Sequence, residues 1–370
     1  MAGDGDAAPV DAPSGRGDRG SERGDGGSVG RRVGLTGLGT YVPDGVQTGA
    51  EIAEESGIPE SVVVEKMGLR EKRVCPPDDD HVSDMCVAAG EAALSDAGVD
   101  PADLDLVLFH GSEYKDHLVW SAAADVCERL GATSAYAHES YTLCAGAPIA
   151  IRHTAAQLRV GDVDRALLVA ASREEDLVDY ADGDASFMFN FGSGAAATVL
   201  EAEPPAERTR AVVRESAATT DGSFSRDVVM PAGGSAKPPD HGTVEAGEHT
   251  LTVPDPDGMK ERLGDVSAPS FLRVADEALA DSGYERDDVD FLALTHMKRS
   301  FHEYLCGELG VSEAEQYYLD DYGHVQSADQ ALALREGLDR DRVGDGDVVL
   351  LLAAGTGYTW AATALEWVGS

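Results

Sequence analysis

The sequence predicts an α/β protein made of two related, layered halves. Two observations lead there. The chain repeats itself: Ala93-Leu-Ser-Asp-Ala-Gly-Val-Asp-Pro-Ala-Asp-Leu-Asp-Leu-Val-Leu108 resembles Ala278-Leu-Ala-Asp-Ser-Gly-Tyr-Glu-Arg-Asp-Asp-Val-Asp-Phe-Leu-Ala293. Arg159-Val-Gly-Asp-Val-Asp-Arg-Ala-Leu-Leu-Val-Ala-Ala171 resembles Arg342-Val-Gly-Asp-Gly-Asp-Val-Val-Leu-Leu-Leu-Ala-Ala354 at nearly the same offset, so two copies of one unit are expected. Short apolar runs bounded by Asp or Gly, at 104–109 and 167–171, suit strands buried on both faces with helices packed outside them. Each unit reads helix, strand, short loop, helix, buried strand, and two such layers would pack about a pseudo-twofold axis.

Taken in order, residues 1–31 are Gly, Asp, Ser and Arg with almost no large apolar side chain, and are expected to be a disordered tail. Order is expected from Val33-Gly-Leu-Thr-Gly-Leu-Gly-Thr-Tyr-Val-Pro43, a strand running into a turn. The first half then spans 32–204 and the second 205–370, with a polar, Gly/Pro-rich surface insertion at 235–258. In Tyr141-Thr-Leu-Cys-Ala-Gly-Ala-Pro-Ile-Ala-Ile-Arg152 a polar stretch gives way to a small-residue apolar run, which reads as a helix start. Cys144 there meets the positive end of the helix dipole, which favours a thiolate nucleophile; a buried, inert thiol is the alternative. Under the repeat this segment falls on His324-Val-Gln-Ser-Ala-Asp-Gln-Ala-Leu-Ala-Leu-Arg335. The axis would then bring the Cys144 turn and the His324 turn into one pocket.

Bulk properties exclude several classes. The formal net charge is -39, from 68 acidic and 29 basic residues among 370. Such a surface repels nucleic acid and anionic membranes, so neither is an expected partner. The acid is spread along the chain and lysine is scarce, which points to a salt-rich cytoplasm more than to an ordinary acidic protein. Five scattered cysteines without CxxC or Cys/His spacing suit a reducing cytoplasm and suggest no metal. No apolar run reaches membrane-spanning length.

From about Val33 to Trp367 the chain resembles the thiolase-like superfamily, most closely the ketoacyl-acyl-carrier-protein synthase III group. The likeness is carried by Gly-Thr-Tyr-Val-Pro43, Met67-Gly-Leu-Arg-Glu-Lys-Arg73, Cys144-Ala-Gly, Phe191-Gly-Ser-Gly-Ala-Ala and Ala354-Gly-Thr-Gly-Tyr-Thr-Trp360, in that order. The resemblance implies duplicated βαβαβαββ halves in a five-layer αβαβα sandwich, usually as a homodimer. It implies an acyltransferase: Cys144 takes an acyl group from a thioester, and a histidine and an asparagine stabilise the enolate of a second thioester. The histidine maps to His296. At the asparagine this chain has His324, so a Cys/His/His set is implied, and a histidine there can act as a base where asparagine cannot.

Further residues follow from the same likeness. Gly355 and Gly357 would shape an oxyanion hole with the Cys144 backbone N–H. Arg70, Lys298 and Arg299 would meet the anionic coenzyme A or carrier phosphopantetheine. Glu113 occupies what looks like the catalytic glutamate position of hydroxymethylglutaryl-CoA synthases, or else is a loop carboxylate paired with Lys115. No permanently bound cofactor is implied; acyl-CoA or acyl-carrier-protein thioesters are the substrates. The expected function is thus a Claisen-condensing acyltransferase. Synthesis of the hydroxymethylglutaryl type, acyl transfer without condensation, and a non-catalytic partner subunit of the same fold are the alternatives. Assembly with other enzymes of acyl metabolism is compatible with each.

Overall fold

The computed structural model describes residues 30–369, so the expected tail lies outside the described residues except at its end. There Arg31 is held: its Nε donates to the Leu158 carbonyl at 2.9 Å and its guanidinium pairs with Asp164. The ordered chain therefore reaches back to a residue that composition assigned to the tail.

The first half begins with β1 (Val33–Tyr41), then a small excursion of β2 (Gly45–Thr48), α1 (Gly49–Ser56) and β3 (Glu71–Val74). It continues through α2 (Val82–Ala97), β4 (Leu106–Gly111), α3 (Ala122–Leu130), β5 (Tyr136–Tyr141), α4 (Gly146–Val160), β6 (Arg165–Arg173) and β7 (Ser193–Ala202). The second half runs β8 (Ala211–Thr220), α5 (His241–Glu245), α6 (Pro256–Ser282), β9 (Val289–Leu294), α7 (Arg299–Glu308), α8 (Asp329–Asp339), β10 (Val348–Gly355) and β11 (Thr359–Trp367). Without the excursion the first half is βαβαβαββ. The second follows the same order, except that the counterpart of β5 shrinks to one bridge between Leu292 and Gln316.

The strands order as β5-β4-β6-β7-β1-β8-β11-β10-β9, which reads alike from both ends under the repeat. The halves meet where β1 and β8 pair at Gly34–Val212 and Leu35–Ala211. Ala150, Ile151 and Leu158 of α4 and Leu332, Ala333 and Leu334 of α8 share one buried cluster with strand residues of both halves. Helices α2 and α3 cover the outer face of the first half, and α6 and α7 that of the second. This is the five-layer αβαβα arrangement, and it explains why β4 is buried along its whole length: it has helices on both faces. The glycine recurring in the first repeat match also has a physical role. Gly98 and Gly283 end α2 and α6 in the left-handed conformation (φ 62° and 86°), where a side chain would be strained.

The expected insertion at 235–258 is only partly a surface feature. Its first residues are exposed, but Thr252 bridges to Val229, and Val253 is buried with Met188, Phe191 and Met259. Its last residues already belong to α6. Apolar side chains at its C-terminal end draw the segment down beside Phe191, whose ring packs 5.3 Å from that of His324.

Candidate active site

Two turns meet at the centre of the molecule. In the first, the chain leaves β5 and makes a tight turn at Leu143–Ala145 before α4; in the second, the turn at Gln326–Ala328 precedes α8. Leu143 and Gln326, equivalent under the repeat, both have positive φ, 50° and 52°. Non-glycine residues hold that conformation at a cost of order 1–3 kcal/mol, so the packing around both turns must impose it. The result is a sharp elbow that presents Cys144, buried at 6% exposure, at the mouth of α4.

The Cys144 Sγ lies 3.0 Å from His324 Nε2. The other ring nitrogen, Nδ1, lies 2.6 Å from Asp329 Oδ2. Asp329 is fully buried at the first turn of α8, and it also accepts the backbone N–H groups of His296 and Val325, each at 2.7 Å. One carboxylate thus ties both histidine segments together. Burial alone would disfavour a charged His324; Asp329 and Cys144 outweigh it and hold the imidazole well above its ordinary range.

His296 follows β9 and is buried. Asn190 Nδ2 donates to its Nδ1 at 2.9 Å, so the ring proton sits on Nε2, which is buried and makes no hydrogen bond among the described residues. Burial, then the charges of His324, His302 and Arg299, push His296 well below the ordinary imidazole range against a smaller opposing pull from the Gly68 backbone, and keep it neutral. A neutral ring with an unspent N–H is a donor waiting for an acceptor.

The remaining expected site residues divide. Gly355 packs on the elbow: a Cβ there would lie 2.4 Å from the Thr142 carbonyl oxygen and 3.1 Å from the Cys144 nitrogen. Gly357, at φ 110°, faces open space. Arg70, Arg299 and Lys298 gather on one rim, since Gly68 lies against both Arg299 and Tyr318. Two of these cations already have partners. Arg70 pairs with Asp321, and Arg299 pairs with Asp320 at 2.8 Å while stacking over Tyr318. Lys298 is exposed.

Glu113 needs correction. It is exposed in the loop after β4, and among the described residues no hydrogen bond joins it to Cys144, His296 or His324. Lys115 pairs instead with Glu139. The carboxylates buried at the site are Asp329 and Glu174. Burial raises the Glu174 carboxyl, which accepts from Gln326 Nε2.

Asp329, Asn190 and Glu174 escaped sequence reasoning. Asp329 left one signal, a carboxylate five residues past His324 in an otherwise apolar helix start. His110 is buried with its Nδ1 2.5 Å from the Oγ of Ser327, the repeat counterpart of Cys144. The second elbow thus carries a hydroxyl–imidazole pair where the first carries a thiol–imidazole pair. Among the described residues no group of three or more His, Cys, Asp or Glu is placed to hold a metal ion.

The model of the 3-oxoacyl-[acyl-carrier-protein] synthase III family matches residues 140–222, and that of its C-terminal region matches 279–367. The two matches cover both elbows and the residues around them. This chain is a thiolase-like protein of the synthase III family. Among its relatives, the β-ketoacyl-[acyl-carrier-protein] synthase III of Symbiobacterium thermophilum is 29% identical over 342 residues, covering 91% of this chain and 98% of that protein. The corresponding protein of Caldanaerobacter subterraneus is 26% identical over 336 residues, covering 90% and 98%. In fold, the crystal structure of 3-oxoacyl-[acyl-carrier-protein] synthase III from Aquifex aeolicus superposes with a TM-score of 0.78 at 21% identity, over 90% of this chain and 100% of that one.

Proposed function

We propose that this chain is a condensing acyltransferase that carries its acyl group on Cys144. The observation that carries the reading is the Cys144–His324–Asp329 relay. The thiol is placed to lose its proton to His324, whose ring is oriented and whose charge is balanced by a buried carboxylate. The acyl thioester so formed is both stable and activated. His296 Nε2–H is the donor for the carbonyl oxygen of the second thioester, where negative charge develops. The Cys144 N–H, which Gly355 lets strand β10 approach, is the donor for the first. Acyl-CoA or acyl-carrier-protein thioesters are the substrates, and their phosphates meet Lys298 and the outer side of Arg70, which remains 63% exposed beside its partner Asp321.

The protein acts as a homodimer in this reading. Among the described residues strand β5 ends the sheet with one side unpaired, and beside it Leu118 (65% exposed) and the fully exposed Val119 offer apolar surface. A second copy covering that edge would satisfy both. The charge of -39 and the five free cysteines fit a salt-rich, reducing cytoplasm.

Intact-mass spectrometry tests the reading. Wild-type protein treated with acetyl-, hexanoyl- or dodecanoyl-CoA in molar salt should gain one acyl group, and Cys144→Ala should gain none. Equal labelling of both, or of neither, would sink the proposal.

A further inference from the structure

The hydrogen bonds around His324 restrict what it can do once Cys144 is acylated. Asp329 Oδ2 accepts from Nδ1, so the Nδ1 proton is spent on the carboxylate. In the resting site one further proton lies between Cys144 Sγ and His324 Nε2. When the thiolate attacks an acyl thioester, the C–S bond to the leaving thiolate breaks and that thiolate departs with this proton. His324 is then neutral, still holding Nδ1–H toward Asp329, with a bare lone pair on Nε2 beside the new acyl thioester. Such a ring accepts a proton and cannot donate one at Nε2. Stabilising an enolate after loss of CO2 calls for donors, and of the two imidazoles of this site only His296 has an Nε2–H without a hydrogen-bond partner among the described residues.

We propose that the second substrate is a simple acyl thioester without a carboxylate on its α-carbon, activated by loss of an α-proton to His324 Nε2, with Asp329 as the positioning residue. The inference rests on the acyl-Cys144 reading above. In the step, the α C–H bond breaks and its proton goes to Nε2. The electron pair forms an enolate whose oxygen accepts from His296 Nε2–H. The enolate carbon attacks the acyl carbonyl, the bond to Cys144 Sγ breaks, and the sulfur leaves as thiolate. The proton taken from carbon is then the proton of the resting Cys144–His324 pair, so the cycle closes without any other acid or base. Two acyl thioesters yield one β-ketoacyl thioester and one free thiol.

Deuterium exchange reads the base directly. In Cys144→Ala no thiol shares the Nε2 lone pair, so with acetyl-CoA in D2O the acetyl methyl group should take up deuterium. Cys144→Ala/His324→Asn should lose that exchange by at least about 100-fold. The titratable groups facing His324 in this variant are Asp329, His296 and Glu174. Because Asp329 raises the imidazole, Cys144→Ala/Asp329→Asn should move the acid limb of the exchange profile to lower pH, which a purely structural role would not do. In the wild type, acylated protein should be discharged by acetyl-CoA to a β-ketoacyl-CoA with no CO2 released. Acyl-Cys144 that is discharged only by malonyl-CoA, with CO2, overturns this inference and leaves the condensing reading standing. Discharge to water alone overturns it as well. Failure to form acyl-Cys144 with any of the three donors overturns both.

Discussion

At residue scale the site is a division of labour between two imidazoles set by what each nitrogen already touches. His324 spends Nδ1 on Asp329 and turns Nε2 to sulfur; His296 accepts at Nδ1 from Asn190 and keeps an unspent Nε2–H. Acylation and condensation should therefore separate by mutation. His296→Ala should still acylate Cys144 within about threefold of wild type, yet lose about 10²–10³-fold in the condensing step, the usual effect of removing one oxyanion donor. Single-turnover mass spectrometry for the first step and product formation for the second would check it. His324→Ala should slow both, because it removes the proton acceptor of each.

At the scale of elements, the elbow depends on strand β10 lying against it. Gly355→Ala would drive a methyl group to 2.4 Å from the Thr142 carbonyl, so the turn carrying Cys144 must move. Displacements of that order cost up to about 100-fold in rate when reacting atoms must align. The acylation rate should fall by at least about tenfold, while the melting temperature changes little because the strained turn is local. A parallel loss of acylation and of thermal stability would argue that β10 holds the half together, not the site.

At the scale of the molecule, buried neutral histidines and a one-signed surface govern stability. Burial holds His110 down to about 3, and His302, also mainly through burial, down to about 4. Both lie below the unfolded value of about 6.5, so the unfolded chain binds more protons between those limits. Their stabilising contribution is complete above about pH 6.5 and is lost as pH falls toward 4 and then 3. Each adds a slope of up to about 1.4 kcal/mol per pH unit. His110→Gln should flatten the dependence of urea-unfolding free energy on pH between 6.5 and 4.5, and an unchanged slope would refute the assignment. His324 has the opposite sign: its raised value stabilises below about 6.5 and is lost as pH rises through the folded value. Self-repulsion of the -39 surface should make the melting temperature rise by several degrees between 0.1 and 2 M KCl, as the screening length shrinks from about 10 Å to under about 3 Å.

The sequence by itself determined the duplication, the layered α/β halves, the elbow at Cys144 and its pairing with the His324 turn. These are properties of local pattern and of one unit matched to its copy, which are written in periodicity and spacing. The tertiary structure alone decided which carboxylates enter the site. Glu113 looked well placed after a buried strand, but its loop turns outward, whereas Asp329 is carried inward by the first turn of α8. Arg70 and Arg299, expected to meet an anionic substrate, are each partnered by a carboxylate, Asp321 and Asp320. Such outcomes depend on how side chains from distant segments meet across the pseudo-twofold axis, as when Cys144 of one elbow meets His324 of the other. That meeting fixes where the resting proton lies, and so what the second histidine can do.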